Sequence, residues 1–309
     1  MGDVIAVDPS AQGVLDLFEA LEIPAFERMT PEECRNVFEE LRDPDAVVAE
    51  VAKVEEREIA GVPVRVYTPE GTGPRPVLQW MHGGGWVIGS AERADPTVRE
   101  LCSRSGCVVV SLDYRLAPES QFPAAVEDAF AVADWLAVNA AELGGDPALL
   151  AVGGDSAGGN LAAVISQMRP GVFGFQVLIY PSVDMTFSFP SIDTYAEGFL
   201  LTKAWMLWFR DHYLGGLDVD LKDPQISPLY ASDPVLSTCP PAFVLTTGYD
   251  PLQDEGLAYA DKLEANGVAV QHVHFGDQIH GFYGMPQAIP AALQALDATA
   301  QALRDELAS

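Results

Sequence analysis

A serine hydroxyl attacks a carbonyl only with three partners: a base to take its proton, an acid to orient that base, and donors for the oxyanion. The sequence carries a candidate for each. Ser156 is the centre of Gly153-Gly154-Asp155-Ser156-Ala157-Gly158-Gly159, a run containing Gly-x-Ser-x-Gly. It follows apolar Leu149 to Val152 and precedes a helical stretch, so it reads as a sharp strand-to-helix turn that holds the hydroxyl out at the end of a sheet. The following helix aims its free N-terminal amides at the same point.

Five histidines are present, His82, His212, His272, His274 and His280. His280 lies in Asp277-Gln278-Ile279-His280-Gly281-Phe282, after the last predicted strand, where an imidazole can swing over the sheet's end. It is read as the base. His272 and His274 alternate on that strand and share a face, but no third ligand is in view, so they are read as packed or surface histidines and no metal is expected. The acid belongs after a strand between serine and histidine. Asp250 fits, closing Phe243 to Tyr249 and preceding Pro251 in a turn-prone segment. Its neighbours Asp254 and Glu255 fall in the next helix and read as first-turn charges favoured by the helix dipole.

The donors are sought in His82-Gly83-Gly84-Gly85-Trp86, directly after the strand ending at Met81. Consecutive glycines let the backbone approach a reacting carbonyl and leave peptide N–H groups pointing at the developing charge. The amides of Gly84, Gly85 and Ala157 are read as the donors, with His82 and Gly83 shaping the loop. No cofactor is expected.

These residues need a scaffold that gathers them. From about residue 50, short β-branched runs alternate with helical stretches, the pattern of an α/β sheet protein. Strands are predicted over 47–59, 64–67, 77–81, 108–112, 149–152, 175–179, 243–246 and 270–275, the first two joined by a turn around Gly61 and Pro63. Helices are predicted over 96–105, 123–140, 157–168, 252–265 and 290–307. Two regions depart from the alternation. In residues 1–45, Val14, Leu15, Phe18 and Leu21 keep helical spacing, and Thr30-Pro31-Glu32-Glu33 places an N-cap, a first-turn proline and a capping-box acid in order. Residues 184–225 concentrate Phe187, Phe189, Phe199, Trp205, Trp208 and Phe209 around a helix, read as a lid over the site rather than as core.

Composition narrows the classes. With 17 basic and 45 acidic residues, the net charge of −28 repels nucleic acid and anionic membrane surfaces, so neither is expected as a partner. No apolar run reaches the roughly 18 residues a membrane helix needs. The N-terminus carries acids where a signal peptide would carry Lys or Arg, and a cytoplasmic location is the expectation. Cys34, Cys102, Cys107 and Cys239 form no C-x-x-C pair and read as reduced, buried thiols.

Together, HGGGW, GDSAGGNL, the stretch Tyr114 to Glu119 (YRLAPE), Ser227-Pro228-Leu229, the stretch Asp250 to Gly256 (DPLQDEG) and His280-Gly281-Phe282 resemble the hormone-sensitive-lipase-like family of α/β-hydrolase carboxylesterases. The resemblance covers about residues 60 to 285. It implies an α/β-hydrolase fold: an eight-stranded, mostly parallel sheet flanked by helices, with a helical cap. The cap would comprise residues 1–45 and the insertion 184–225; the core would comprise 46–183 and 226–309. It also implies a serine esterase acting through an acyl-enzyme on small-molecule esters, with acyl chains of roughly C2 to C8 from the soluble branch of the family. Amidase or arylacetamide-type deacylation would use the same residues, and a non-hydrolytic small-molecule receptor could use the same fold. Family receptors of that kind lack the base histidine, so His280 argues against the receptor. A homodimer is the base-rate expectation for any oligomer.

Overall fold

The structure, a computed structural model, describes residues 5–41 and 47–308. The expected 45/46 boundary and the first four residues lie outside that range. Strands β1 (Lys53–Ile59), β2 (Val62–Thr68), β3 (Arg75–Met81), β4 (Val108–Leu112), β5 (Gly145–Asp155), β6 (Phe175–Ile179), β7 (Ala242–Tyr249) and β8 (Val270–Ile279) form one sheet. Their spatial order is β1-β2-β4-β3-β5-β6-β7-β8, antiparallel across β1–β2 and β2–β4 and parallel from β4 onward.

Helices α1 (Pro9–Ala20) and α2 (Pro31–Glu40) precede the sheet, and α3 (Asp95–Ser105), α4 (Ala124–Asn139) and α5 (Ala157–Met168) alternate with its strands. The segment after β6 holds the single turn α6 (Ser191–Thr194), then α7 (Lys203–Leu214), and a second single turn, α8 (Asp233–Leu236), comes just before β7. Helices α9 (Gln253–Ala265) and α10 (Ala291–Glu306) complete the described set.

The central strands β4 and β6 are buried at every position, Ser111 and Gln176 included, because both faces are covered. In β4, Val108, Val110 and Leu112 pack with α4 and α5 residues such as Leu136 and Leu161, while Val109 joins Leu101 of α3 and Leu296 of α10 on the other face. β1 starts at Lys53, later than its apolar pattern predicts, because its ladder with β2 begins with Lys53 opposite Thr68, the last residue of β2. Ala60 and Gly61, both at positive φ, supply the two-residue turn, which leaves Pro63 inside β2. β8 outlasts its prediction because pairing resumes after an irregularity, with Tyr249 opposite Ile279.

Helix α2 begins as its sequence dictates: Thr30 Oγ1 accepts the Glu33 amide and Glu33 Oε2 accepts the Thr30 amide. From this helix Arg35 donates to the backbone oxygens of Val87 and Ala117 and makes a two-pronged pair with Glu119 at 2.7 and 2.8 Å. That pair holds the Glu119 carboxyl at about 2. The N-terminal helices thereby dock beside the loop after β3. Asp8 caps α1 and its amide bonds to Asp277 O, which fixes that helix near the end of β8.

Candidate active site

The register of four parallel strands brings the site together. Met81, the last residue of β3, pairs with Gly154 of β5, so the loop His82 to Trp86 and the turn at Ser156 leave the sheet side by side. Asp250 and His280 follow β7 and β8 at the same carboxyl edge, the edge where open α/β sheets bind ligands.

Ser156 has φ 56° and ψ −115°, a strained backbone for a residue with a β-carbon. The turn closes because its flanks are small. A β-carbon on Gly158 would lie 2.0 Å from Met81 O, so only glycine lets α5 run this close to β3. The Ser156 amide bonds to Ile179 O at 2.9 Å, which pins the turn to β6.

His280 Nε2 lies 3.0 Å from Ser156 Oγ, and its Nδ1 lies 2.7 Å from Asp250 Oδ2. A carboxylate only accepts, so Nδ1 carries the proton and Nε2 presents a lone pair to the hydroxyl. Asp250 is fully buried and doubly held: Oδ2 also accepts the Thr247 hydroxyl at 3.0 Å, and Oδ1 accepts the Leu252 amide at 2.8 Å. The ring of Tyr180 packs against the imidazole, with centroids 4.5 Å apart.

On the other side of Ser156, the amides of Gly84, Gly85 and Ala157 have no protein acceptor among the described residues. Gly85 has φ 58°, and a β-carbon there would sit 2.2 Å from the Phe209 ring. The Gly83 amide is taken by Asp155 Oδ1 at 3.0 Å. His82 is buried and Nδ1 stands 2.7 Å from Gly83 O, while Tyr114 donates to His82 O at 2.7 Å. Burial pushes the imidazole of His82 below the usual range, so the ring is a neutral brace.

Above these groups lies a cavity of about 250 Å³. Its floor holds Asp155, Ser156, His280 and the glycine loop, and its walls come from Phe26 and Phe38 near α2 and from Met185, Phe187, Leu200, Trp205, Met206 and Phe209 of the segment after β6. Trp205 stacks on Phe26 with centroids 3.7 Å apart, joining the two regions that depart from the alternating pattern. The aromatic stripe divides: Phe187, Trp205 and Phe209 face the cavity, whereas Phe199 packs on Tyr249 and Trp208 on His212.

A family profile described as alpha/beta hydrolase fold matches residues 78–284. The chain belongs to that hydrolase family. Among its relatives in Mycobacterium tuberculosis, it is 43% identical to carboxylic ester hydrolase LipN over 73% of this chain and 62% of LipN, so the chain spans less than two thirds of that relative. It is 36% identical to carboxylesterase NlhH over 97% of this chain and 96% of NlhH. Among solved structures, ester-hydrolase EH1AB1 from the Lake Arreo metagenome, complexed with a bipyridine phosphonate derivative, superposes with a TM-score of 0.93 at 40% identity, covering 98% of this chain and 100% of that one.

In this hydrolase-fold chain, two carboxylates have roles the sequence alone did not reveal. Glu255 lies in the first turn of α9, as the sequence suggests, but it is no surface charge. It is fully buried, and Oε1 accepts the amides of Val183 and Asp184 at 2.7 and 3.1 Å, anchoring the start of the segment over the site. Burial pushes its carboxyl well above the usual range. Asp155, recognised only as part of its motif, lines the cavity, and burial raises it to about 6 against the pull of the Gly83 amide and the imidazole. Asp254 accepts the Ser191 amide at 2.9 Å; neither Asp254 nor Glu255 bonds to His280.

His272 and His274 share a face as their alternation requires, and His272 Nε2 and His274 Nδ1 meet the Thr246 hydroxyl at 2.8 and 2.9 Å. All four cysteines are free and buried. Burial pushes Cys34 and Cys107 up to about 11 and Cys102 and Cys239 up to about 12, which keeps them protonated and unreactive at neutral pH. Among the described residues no helix is long and apolar enough to cross a membrane.

Proposed function

We propose that this chain is a serine carboxylesterase that cleaves short- to medium-chain acyl esters through an acyl-enzyme, with Ser156 as nucleophile, His280 as general base and Asp250 as its orienting acid. The chain is a carboxylic ester hydrolase of its family, as its relatives are named. The carrying observation is the unbroken contact from Ser156 Oγ through both imidazole nitrogens to Asp250.

Chemistry follows from that contact. As Ser156 Oγ attacks the ester carbonyl, His280 Nε2 takes the hydroxyl proton, and the Asp250 carboxylate stabilises the imidazolium through Nδ1. The carbonyl oxygen gains charge and is met by the unpartnered amides of Gly84, Gly85 and Ala157. The imidazolium returns the proton to the departing alkoxide. Water, deprotonated by the same nitrogen, then releases the acid.

A small ester is the proposed partner. The cavity lies below the roughly 300–1,000 Å³ of pockets that hold drug-sized ligands, which favours compact acyl groups. Four free thiols fit a reducing compartment, so the cytoplasm is the proposed location. The test is a series of p-nitrophenyl esters from acetate to dodecanoate, assayed with wild type and Ser156→Ala. Hydrolysis that peaks at short acyl chains and vanishes in the variant is expected; hydrolysis that survives in Ser156→Ala overturns the assignment, and none in wild type points to a receptor.

A further inference from the structure

The cavity over Ser156 is closed on one side by two side chains rather than by backbone. A second cavity of about 350 Å³ lies between α1 and the segment before α7, with Leu15, Phe18 and Ile23 on its α1 side. Leu200 and Trp205 line both cavities, so these two residues are the partition between them.

Proton transfer decides which part of an ester meets this partition. The leaving alkoxide takes its proton from the imidazole, so the alcohol portion lies on the His280 side of the carbonyl carbon. Leu200 is on that side. Its Cδ2 stands 3.7 Å from where a β-carbon would project on Gly281, the residue after His280. The opposite flank, beside the glycine loop, is filled by Phe209 packed on Gly85.

The two halves of the partition are held differently. Trp205 is clamped by its stack on Phe26, and its amide is capped by Thr202 Oγ1 at 3.1 Å. Leu200 is half-buried and follows Gly198 and Phe199 with its own backbone at φ 71°, in the left-handed region that a leucine rarely enters. From that backbone the residue lines both cavities.

We propose that Leu200 is the specificity-determining stop of the alcohol side of the site: it closes the passage into the groove along α1, and shortening it joins the two cavities into one channel for longer alkyl alcohols. This rests on the esterase reading. The groove is floored by apolar side chains and rimmed by the carboxylates of Asp16 and Glu19, so it suits neutral alkyl chains and disfavours anionic ones.

The experiment compares wild type, Leu200→Ala and Leu200→Met on two ester series, acetates of ethyl to decyl alcohol and ethyl esters of acetic to decanoic acid. Each methylene newly taken out of water is worth about four-fold in kcat/KM. Leu200→Ala is expected to raise the decyl acetate to ethyl acetate ratio by about ten-fold or more while leaving the acyl series in place, and Leu200→Met, which keeps the volume, retains the wild-type profile. Should Leu200→Ala fail to fold, Leu200→Gly, which adopts the φ of 71° without strain, carries the same prediction. Wild-type hydrolysis with an unmoved alcohol ratio in the shortened variant, or a shift confined to the acyl series, overturns the partition alone. Wild type inactive on both series overturns the esterase reading and this proposal with it.

Discussion

The carboxylate of Asp155 accepts the amide proton of Gly83 at 3.0 Å, so the residue before Ser156 holds the loop that presents the Gly84 and Gly85 amides. The two are far apart in sequence and meet because β3 and β5 are neighbours in register. The bond makes Asp155 a positioning residue for the proposed donor loop.

Its environment sets a trade between stability and turnover. Burial raises the folded-state value to about 6 from an ordinary 3.8, so between those values the native state binds more protons than the unfolded one. Stability from this group therefore falls as pH rises through that window, and above it the ionised form costs on the order of 3 kcal/mol. Asp155→Asn keeps an acceptor for Gly83 and removes the charge. Its melting temperature should exceed wild type by about 2–5 °C at pH 8 and by less at pH 5, with kcat/KM lowered about ten-fold or more by loss of the negative charge near the imidazolium. Thermal melts at the two pH values with ester kinetics check this; equal gains at both would show that the charge is not the cause.

Gly85 is irreplaceable for a steric reason that a kinetic split can expose. Gly85→Ala puts a β-carbon 2.2 Å from the Phe209 ring at a φ of 58°. The loop must shift, and with it one of the proposed oxyanion donors. The expected loss is about 10²–10³ in kcat with KM little changed, since the donor acts mainly on the transition state. Phe209→Ala in the same chain removes the clash and should recover part of kcat. A variant that loses KM rather than kcat would assign the loop to ground-state binding.

Glu255 is proposed to be neutral in the folded protein. Its folded-state value lies well above an ordinary 4.5, so its contribution to stability falls as pH rises past the unfolded value. Glu255→Gln keeps the acceptor for the Val183 and Asp184 amides and never ionises. Urea unfolding should find it close to wild type near pH 5 and more stable than wild type at pH 9. Glu255→Ala strands two buried amides and should cost about 2–4 kcal/mol at either pH. A glutamine variant as damaged as the alanine would mean that the carboxylate is charged and needed as such.

The strands were legible because β4 and β6 are short, largely apolar runs buried on both faces, and α5 because its turn is written in small residues. Their ends were not, since β1 begins only where its ladder with β2 does and β8 continues where pairing with β7 resumes. The aromatic segment was visible as a stripe, but which rings face the cavity depends on how α7 lies against Phe26 and Gly85.

Local chemistry explains what the sequence determined by itself: the strained turn at Ser156, the glycine loop after Met81, the capping box at Thr30 and the order of serine, acid and histidine are all short-range patterns of backbone permission and hydrogen bonding. Tertiary structure alone decided the rest. Only the assembled sheet brings Asp250 to 2.7 Å from His280, only burial by distant chain raises Asp155 and Glu255, and only the packing of α1 and α7 makes Leu200 the proposed partition. Distances and desolvation are properties of the assembled chain, because both depend on groups that no local stretch contains.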